Sequence, residues 1–201
     1  NWGIAWLSIA SGQLKMKQSS TLSILNEIAR LRPSEIIAPE GSVFLGMDQT
    51  KIRIQHLPVW NFEEEVARNN LCDHLKVRDL RGFGCEEYSS AISAAGALLS
   101  YAQSTQSEPL SHITAIQIEQ DNDFIQLDLA TRKNLEINTT LQGESSPTLL
   151  STFDKAKSSM GSRWIQHALN HPLFNHNDIN ERLSAVTWFT DSKNSPVLNA
   201  M

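Results

Sequence analysis

Two hundred and one residues, 40% hydrophobic and 19% charged, suit one generous domain or one domain joined to part of another, with a real apolar core. The net charge of −5 leaves no bulk basic face, which disfavours strong binding to a phosphate backbone by this chain alone. No apolar stretch approaches the roughly 20 residues a bilayer demands, and no charged leader precedes an apolar run, so neither a membrane segment nor a signal peptide is expected.

Residues 2–9 pattern as a strand, with Ile4, Trp6 and Ile9 among small residues. The chain opens at Asn1 inside that pattern and reads as a cut piece. Ser11-Gly12 is a tight-turn signal, and residues 13–17 alternate with Leu14 and Met16 on one face, so a hairpin is predicted. Ser20 or Thr21 can cap a helix carrying Leu22, Leu25, Ile28, Ala29 and Arg32 at helical spacing, stopped by Pro33. Residues 35–38 and 51–55 read as short strands.

A helix is predicted over 61–71, with Phe62, Val66 and Ala67 inward and Glu63, Glu64 and Glu65 suiting the dipole of its first turn. After Arg81-Gly82-Phe83-Gly84, residues 86–103 form a long alanine-rich helix, in which Ala95, Gly96 and Leu99 permit close packing on a sheet. Residues 113–118 and 124–127 alternate around a turn at 120–123, the pattern of a second hairpin. From Asp128 the style changes to helices: 130–137, 148–153, 158–170 stopped by His171-Pro172, and a last helix capped by Asp178 that carries Ile179, Leu183, Val186 and Phe189. Two domains follow, an α/β domain over 1–127 and an all-α segment over 128–201. The first carries 10 basic and 15 acidic side chains and the second 7 of each, so the acidity sits in the α/β part.

Catalytic, cofactor and metal signals are missing. There is no Gly-x-x-x-x-Gly-Lys-Ser/Thr phosphate cradle, and Gly82-Phe83-Gly84 reads as a hinge where glycine supplies a positive φ. His167, His171 and His176 are spaced as zinc ligands can be, but Ala168 stands where a metalloprotease needs glutamate, and His171 suits a helix end. Cys72 and Cys85 have neither zinc nor disulfide-framework spacing and fit a reducing cytoplasm as small hydrophobes. A ribonuclease H-like, metal-dependent nuclease or resolvase is the alternative for an α/β domain opening on a hairpin. It needs clustered carboxylates, yet the first strand offers only Ser8, and Glu119, Asp121, Asp123 and Asp128 read as a solvated turn and strand end.

Several motifs resemble those of the MutS family of DNA mismatch repair proteins. The run from Leu127 through Asp128, Thr131 and Asn134-Leu135-Glu136 is similar to the one that opens the family's core domain. Met160-Gly161-Ser162-Arg163 followed by Leu169, Pro172 and Leu173 resembles a second signature, and Ile179, Arg182, Leu183 and Val186 a third. Upstream, Ser11-Gly12, Pro58 with Trp60, Gly82-Phe83-Gly84 and the run from Ala95 to Ala102 fall where the connector domain has matching motifs. The likeness covers essentially the whole chain in the family's order.

The resemblance implies a ribonuclease H-like connector with a mixed sheet and without nuclease function, followed by the start of the helical core or lever domain. It implies that the full-length protein, a cytoplasmic homodimer, recognises mismatched double-stranded DNA and is an ATPase requiring ATP and magnesium. This chain would need no cofactor. Its own part would be to transmit the signal between mismatch recognition and ATPase and to dock the partner MutL, with Arg68, Asn69 and Asn70 as the docking residues. Phe62-Glu63-Glu64 matches the family's mismatch-reading Phe-x-Glu literally, but lies in the wrong domain and is a coincidence. Met160, Gly161, Ser162, Arg163, Pro172 and Leu173 are architectural: Gly161 permits close approach in a first turn, Met160 fills an apolar gap, Pro172 stops the helix and Leu173 covers the stop.

Overall fold

The computed structural model describes residues 2–19, 24–43, 52–106, 108–120 and 123–191. The chain divides into two compact units, Asn1–Gln120 and Asp121–Met201. The first is α/β with a mixed sheet.

Strands β1 (Trp2–Ser8) and β2 (Gln13–Ser19) form the expected hairpin, paired antiparallel from Trp2 opposite Ser19 to Ser8 opposite Gln13. Gly12 takes φ +68° in the turn, and His112 reaches the turn through Nε2, 2.7 Å from the Ile9 carbonyl oxygen. A short strand, β5 (Ile116–Ile118), joins β2 in parallel. This corrects the second hairpin expected over 113–127. Phe124 instead bridges Leu173 antiparallel, and the Ile125 N–H donates to the Pro172 carbonyl at 2.8 Å, so those residues belong to the second unit. A separate parallel pair, β3 (Glu35–Pro39) and β4 (Arg53–Leu57), forms a two-stranded sheet.

Along the chain, α1 (Ile24–Leu31), whose proposed caps Ser20 and Thr21 fall outside the described residues, follows β2, and α2 (Glu64–Leu75) and α3 (Ser89–Thr105) come between β4 and β5. Alternation along β2 sends Leu14 and Met16 to the α3 side, where they are fully buried with Ala91, Ile92, Ala95 and Leu99. Burial of that apolar surface is the main stabilising term of the unit. Two glycines set the spacing. A side chain at Gly3 of β1 would collide with the Ser90 backbone. Gly96 faces Ala67 of α2 rather than the sheet, which corrects the packing expected for it. The N-terminus of α3 has no local side-chain cap. Gln18 of β2 supplies one from the sheet, its Oε1 accepting from the Ser90 N–H at 2.9 Å.

The second unit holds α4 (Leu129–Asn134), α5 (Leu149–Phe153), α6 (Ser159–Asn170) and α7 (His176–Thr190). Each start is capped: Asp128 accepts from the Thr131 N–H, Thr148 and Ser151 form a reciprocal box, and Ser158 accepts from Gly161. The cap of α7 is Asn175, not Asp178, which instead sits in the first turn. The hydrogen bond from Thr131 holds the Asp128 carboxyl below its ordinary range.

Candidate functional site

Helix α2 starts with Glu64 and Glu65 in its first turn and ends where Lys76 turns left-handed at φ +56°. It buries Ala67 and Leu71, and Cys72 and Leu75 pack on the same core. Those last two apolar residues carry the helix one turn past the predicted end at 71. Arg68, Asn69 and Asn70 are therefore central in α2, not near its end.

The three residues do not share a face, since each step around a helix is about 100°. Arg68 is engaged within the chain. It donates to Glu64 at 2.8 Å and to Glu86, which lies between the 82–84 turn and α3. Both carboxylates raise its already high pKa, the Glu64 hydrogen bond most, against a partial desolvation. It ties α2 to the approach to α3. Asn69 is exposed and Asn70 is half-buried. Of the three residues Asn69 is thus the most exposed, on a helix that also exposes Glu64, Glu65 and Asp73.

Of the Gly82-Phe83-Gly84 turn, Gly84 takes the positive φ expected of a glycine there, +68°. Beside it Cys85 is buried and Cys72 half-buried, and burial pushes both thiols up, away from reactivity.

The carboxylate test for a nuclease has an unexpected outcome. Glu119, expected in a solvated turn, is buried, together with Lys17 of β2 and Glu27 and Arg30 of α1. Lys17 Nζ lies 3.1 Å from Glu27 Oε1, and Arg30 Nε donates to Glu27 Oε2 at 2.8 Å. Arg30 Nη1 donates to Glu119 Oε2 at 3.1 Å, and its guanidinium sits 5.4 Å from the Trp6 ring centroid. Glu119 Oε1 is 2.8 Å from Arg30 Nη2 but has no aligned hydrogen bond among the described residues. Burial accordingly pushes this carboxyl up, outweighing the pull of Arg30. Two carboxylates do converge near β1, but Lys17 and Arg30 neutralise them. Sequence patterning missed the cluster because Lys17 stands on what reads as the wet side of an alternating strand. The only hint is the Glu27–Arg30 pair, three apart on one helix.

In the second unit, Arg132 of α4 is buried and joins α4 to the end of α6. It donates to Asn170 Oδ1 at 3.2 Å, to the Asn170 carbonyl at 3.0 Å and to the Leu127 carbonyl at 3.2 Å. Asn138 and Asn170 exchange side-chain hydrogen bonds. Gly161 sits against Ala156, to whose Cβ an added methyl would stand 3.0 Å, so the chain itself makes the close approach. Ser162 donates to Asp154, while Arg163 bonds back to the Ser159 carbonyl. Met160 is 75% exposed and fills no gap, which corrects that assignment. Pro172 follows the end of α6, and Leu173 is held by the bridge to Phe124.

His167 and His171 stack at 4.2 Å, and His171 Nδ1 is 3.0 Å from the His167 carbonyl oxygen, a helix-end contact. Among the described residues no group of three or more His, Cys, Asp or Glu is placed to hold a metal ion. No described helix is long and apolar enough to cross a membrane.

The sequence matches the family model of MutS domain II over residues 1–114 and that of MutS domain III over residues 130–200. The intervening residues include the change of unit at 120–121.

Proposed function

Because the chain belongs to the MutS family of DNA mismatch repair proteins, we propose that it relays conformational change between mismatch recognition and the ATPase, and that its first unit docks MutL. One observation carries the docking: α2 is fixed by buried Ala67 and Leu71 and by the Arg68 ion pairs, yet presents Asn69 outward with no hydrogen-bond partner for its amide among the described residues. A rigid helix with an exposed polar residue is a preorganised contact. Arg68 is then a positioning residue, and Asn69 and Asn70 meet the partner. The relay rests on domain II and domain III matches lying in one chain.

We assign this chain no chemistry of its own. ATP and magnesium belong to the full-length protein, as do homodimerisation and binding of mismatched double-stranded DNA, in the cytoplasm. Against the nuclease alternative stands the pairing of Glu27 and Glu119 with Lys17 and Arg30, together with Ser8 on the first strand. Co-purification with the N-terminal part of MutL tests the docking. The chain should retain MutL, and Asn69→Asp with Asn70→Asp should release it. Retention undiminished by the double change would refute the α2 site.

A further inference from the structure

Helix α1 is attached to the first unit differently from α2 and α3. Those two interlock at Gly96 and Ala67 over an apolar core. In α1 the buried residues are Glu27 and Arg30, whereas Ile24, Leu25, Ile28 and Leu31 are only partly buried. Its driest contacts are ionic: Glu27 with Lys17, and Arg30 with Glu119 and over Trp6.

The two kinds of attachment open at different cost. Separating α2 from α3 exposes apolar surface to water with nothing in return. Separating α1 from the sheet returns buried charges to water, and the hydration they regain offsets the Coulomb attraction lost. A pivot lies at the C-terminal end of α1. Arg32 is left-handed at φ +48°, still donating to the Ile28 carbonyl at 2.8 Å, and Pro33 follows. The other side of the contact is the last rung of the sheet. The Glu119 N–H donates to the Met16 carbonyl at 2.9 Å, one residue before the first unit ends at Gln120.

We propose that α1 is a hinged strap over the Trp6 face of the sheet, latched by Arg30 to Glu119, and that it opens together with the end of β5 while the α2–α3 core stays closed. Opening bares Trp6 and Lys17 and frees the rung from which the chain leaves the first unit.

Amide hydrogen exchange on the whole 201-residue chain, measured across low urea concentrations, tests this. In the native chain the amides of residues 28–31 and of Glu119 should share one opening. It should be about tenfold or more faster than that of Leu99 in α3, with weaker urea dependence. Arg30→Met should accelerate residues 28–31 and Glu119 together by about tenfold more and leave Leu99 unchanged. Exchange of α1 at the rate and urea dependence of Leu99 in the native chain overturns the proposal, whether or not Arg30→Met folds. So does an Arg30→Met chain in which every element accelerates alike, none does, or α1 accelerates without Glu119.

Discussion

Gly96 of α3 lies against Ala67 of α2 so closely that a methyl added at Gly96 would stand 2.6 Å from the Ala67 carbonyl oxygen and nearer still to its Cα. The neighbour on that side is backbone and cannot swing away, so the helices themselves must part. Gly96→Ala should therefore cost about 2 kcal/mol in urea unfolding, the usual scale of overpacking, despite alanine's better helix propensity. Because Ala67 precedes Arg68 and Asn69, the same substitution should also displace the proposed docking residues. An unchanged unfolding midpoint would show that α2 and α3 are not pressed together here.

Arg68 and Asn69 are neighbours with opposite expected behaviour. Arg68→Ala removes contacts to Glu64 and Glu86 from a partly exposed side chain, so its stability cost should be only about 0.5–1 kcal/mol. Asn69→Ala should leave stability within about 0.5 kcal/mol, because the residue is exposed. Thermal unfolding of both variants decides this. A larger loss at Asn69 would make it a structural residue rather than a contact.

Glu119 should give the first unit a distinct pH dependence. Its carboxyl is raised in the folded chain by burial, so the folded state binds its proton more tightly than the unfolded state does. The associated stability is fully present below the ordinary carboxyl pKa and is lost as pH rises through the raised value. Glu119→Gln keeps an acceptor for Arg30 without the charge. Its stability should therefore exceed that of the native chain at neutral pH and fall less between acid and neutral conditions. Urea titrations at a series of pH values would show it, and parallel curves for the two proteins would mean that Glu119 does not titrate in that range.

How far these features could be read in advance depended on whether they were local. The first hairpin, the positive φ at Gly84 and the stop at Pro172 follow from residues next to one another, and they are where the pattern puts them. The ionic cluster joins Lys17, Glu27, Arg30 and Glu119 across distant stretches, and each residue alone reads as solvated surface. Phe124 has the alternation of a hairpin strand, but its partner Leu173 lies beyond three helices. The outer surface of α2 was legible only as polarity. That Arg68 is tied to Glu86 was not legible, because no periodicity encodes that contact.

Helix α7 exposes Leu183, Val186, Trp188 and Phe189, each about half accessible. Such a cluster favours self-association in water. Sedimentation velocity of the chain should show concentration-dependent growth, and Leu183→Gln with Val186→Gln should suppress it while changing stability by no more than about 0.5 kcal/mol. If the chain stays monomeric throughout, its amides after about residue 175 should exchange much faster than those of β1. A monomer with uniformly slow exchange would mean that this face is covered after all.

The acidic balance of the chain leads us to expect weak, salt-sensitive DNA binding without preference for mispaired duplexes. Fluorescence anisotropy with matched and mismatched duplexes at two salt concentrations measures it. Tight binding at physiological salt, or several-fold selectivity for the mismatch, would place a DNA-reading surface within this chain.

The docking claim is tested most directly by titrating the N-terminal part of MutL with this chain and with its Asn69→Asp, Asn70→Asp form. Unfolding should first show the two proteins to be equally stable. The account predicts saturable binding to the native chain and a loss of about tenfold or more in the double variant, as expected for residues at the centre of a contact. Equal affinity for both proteins would contradict it and move the MutL surface away from α2.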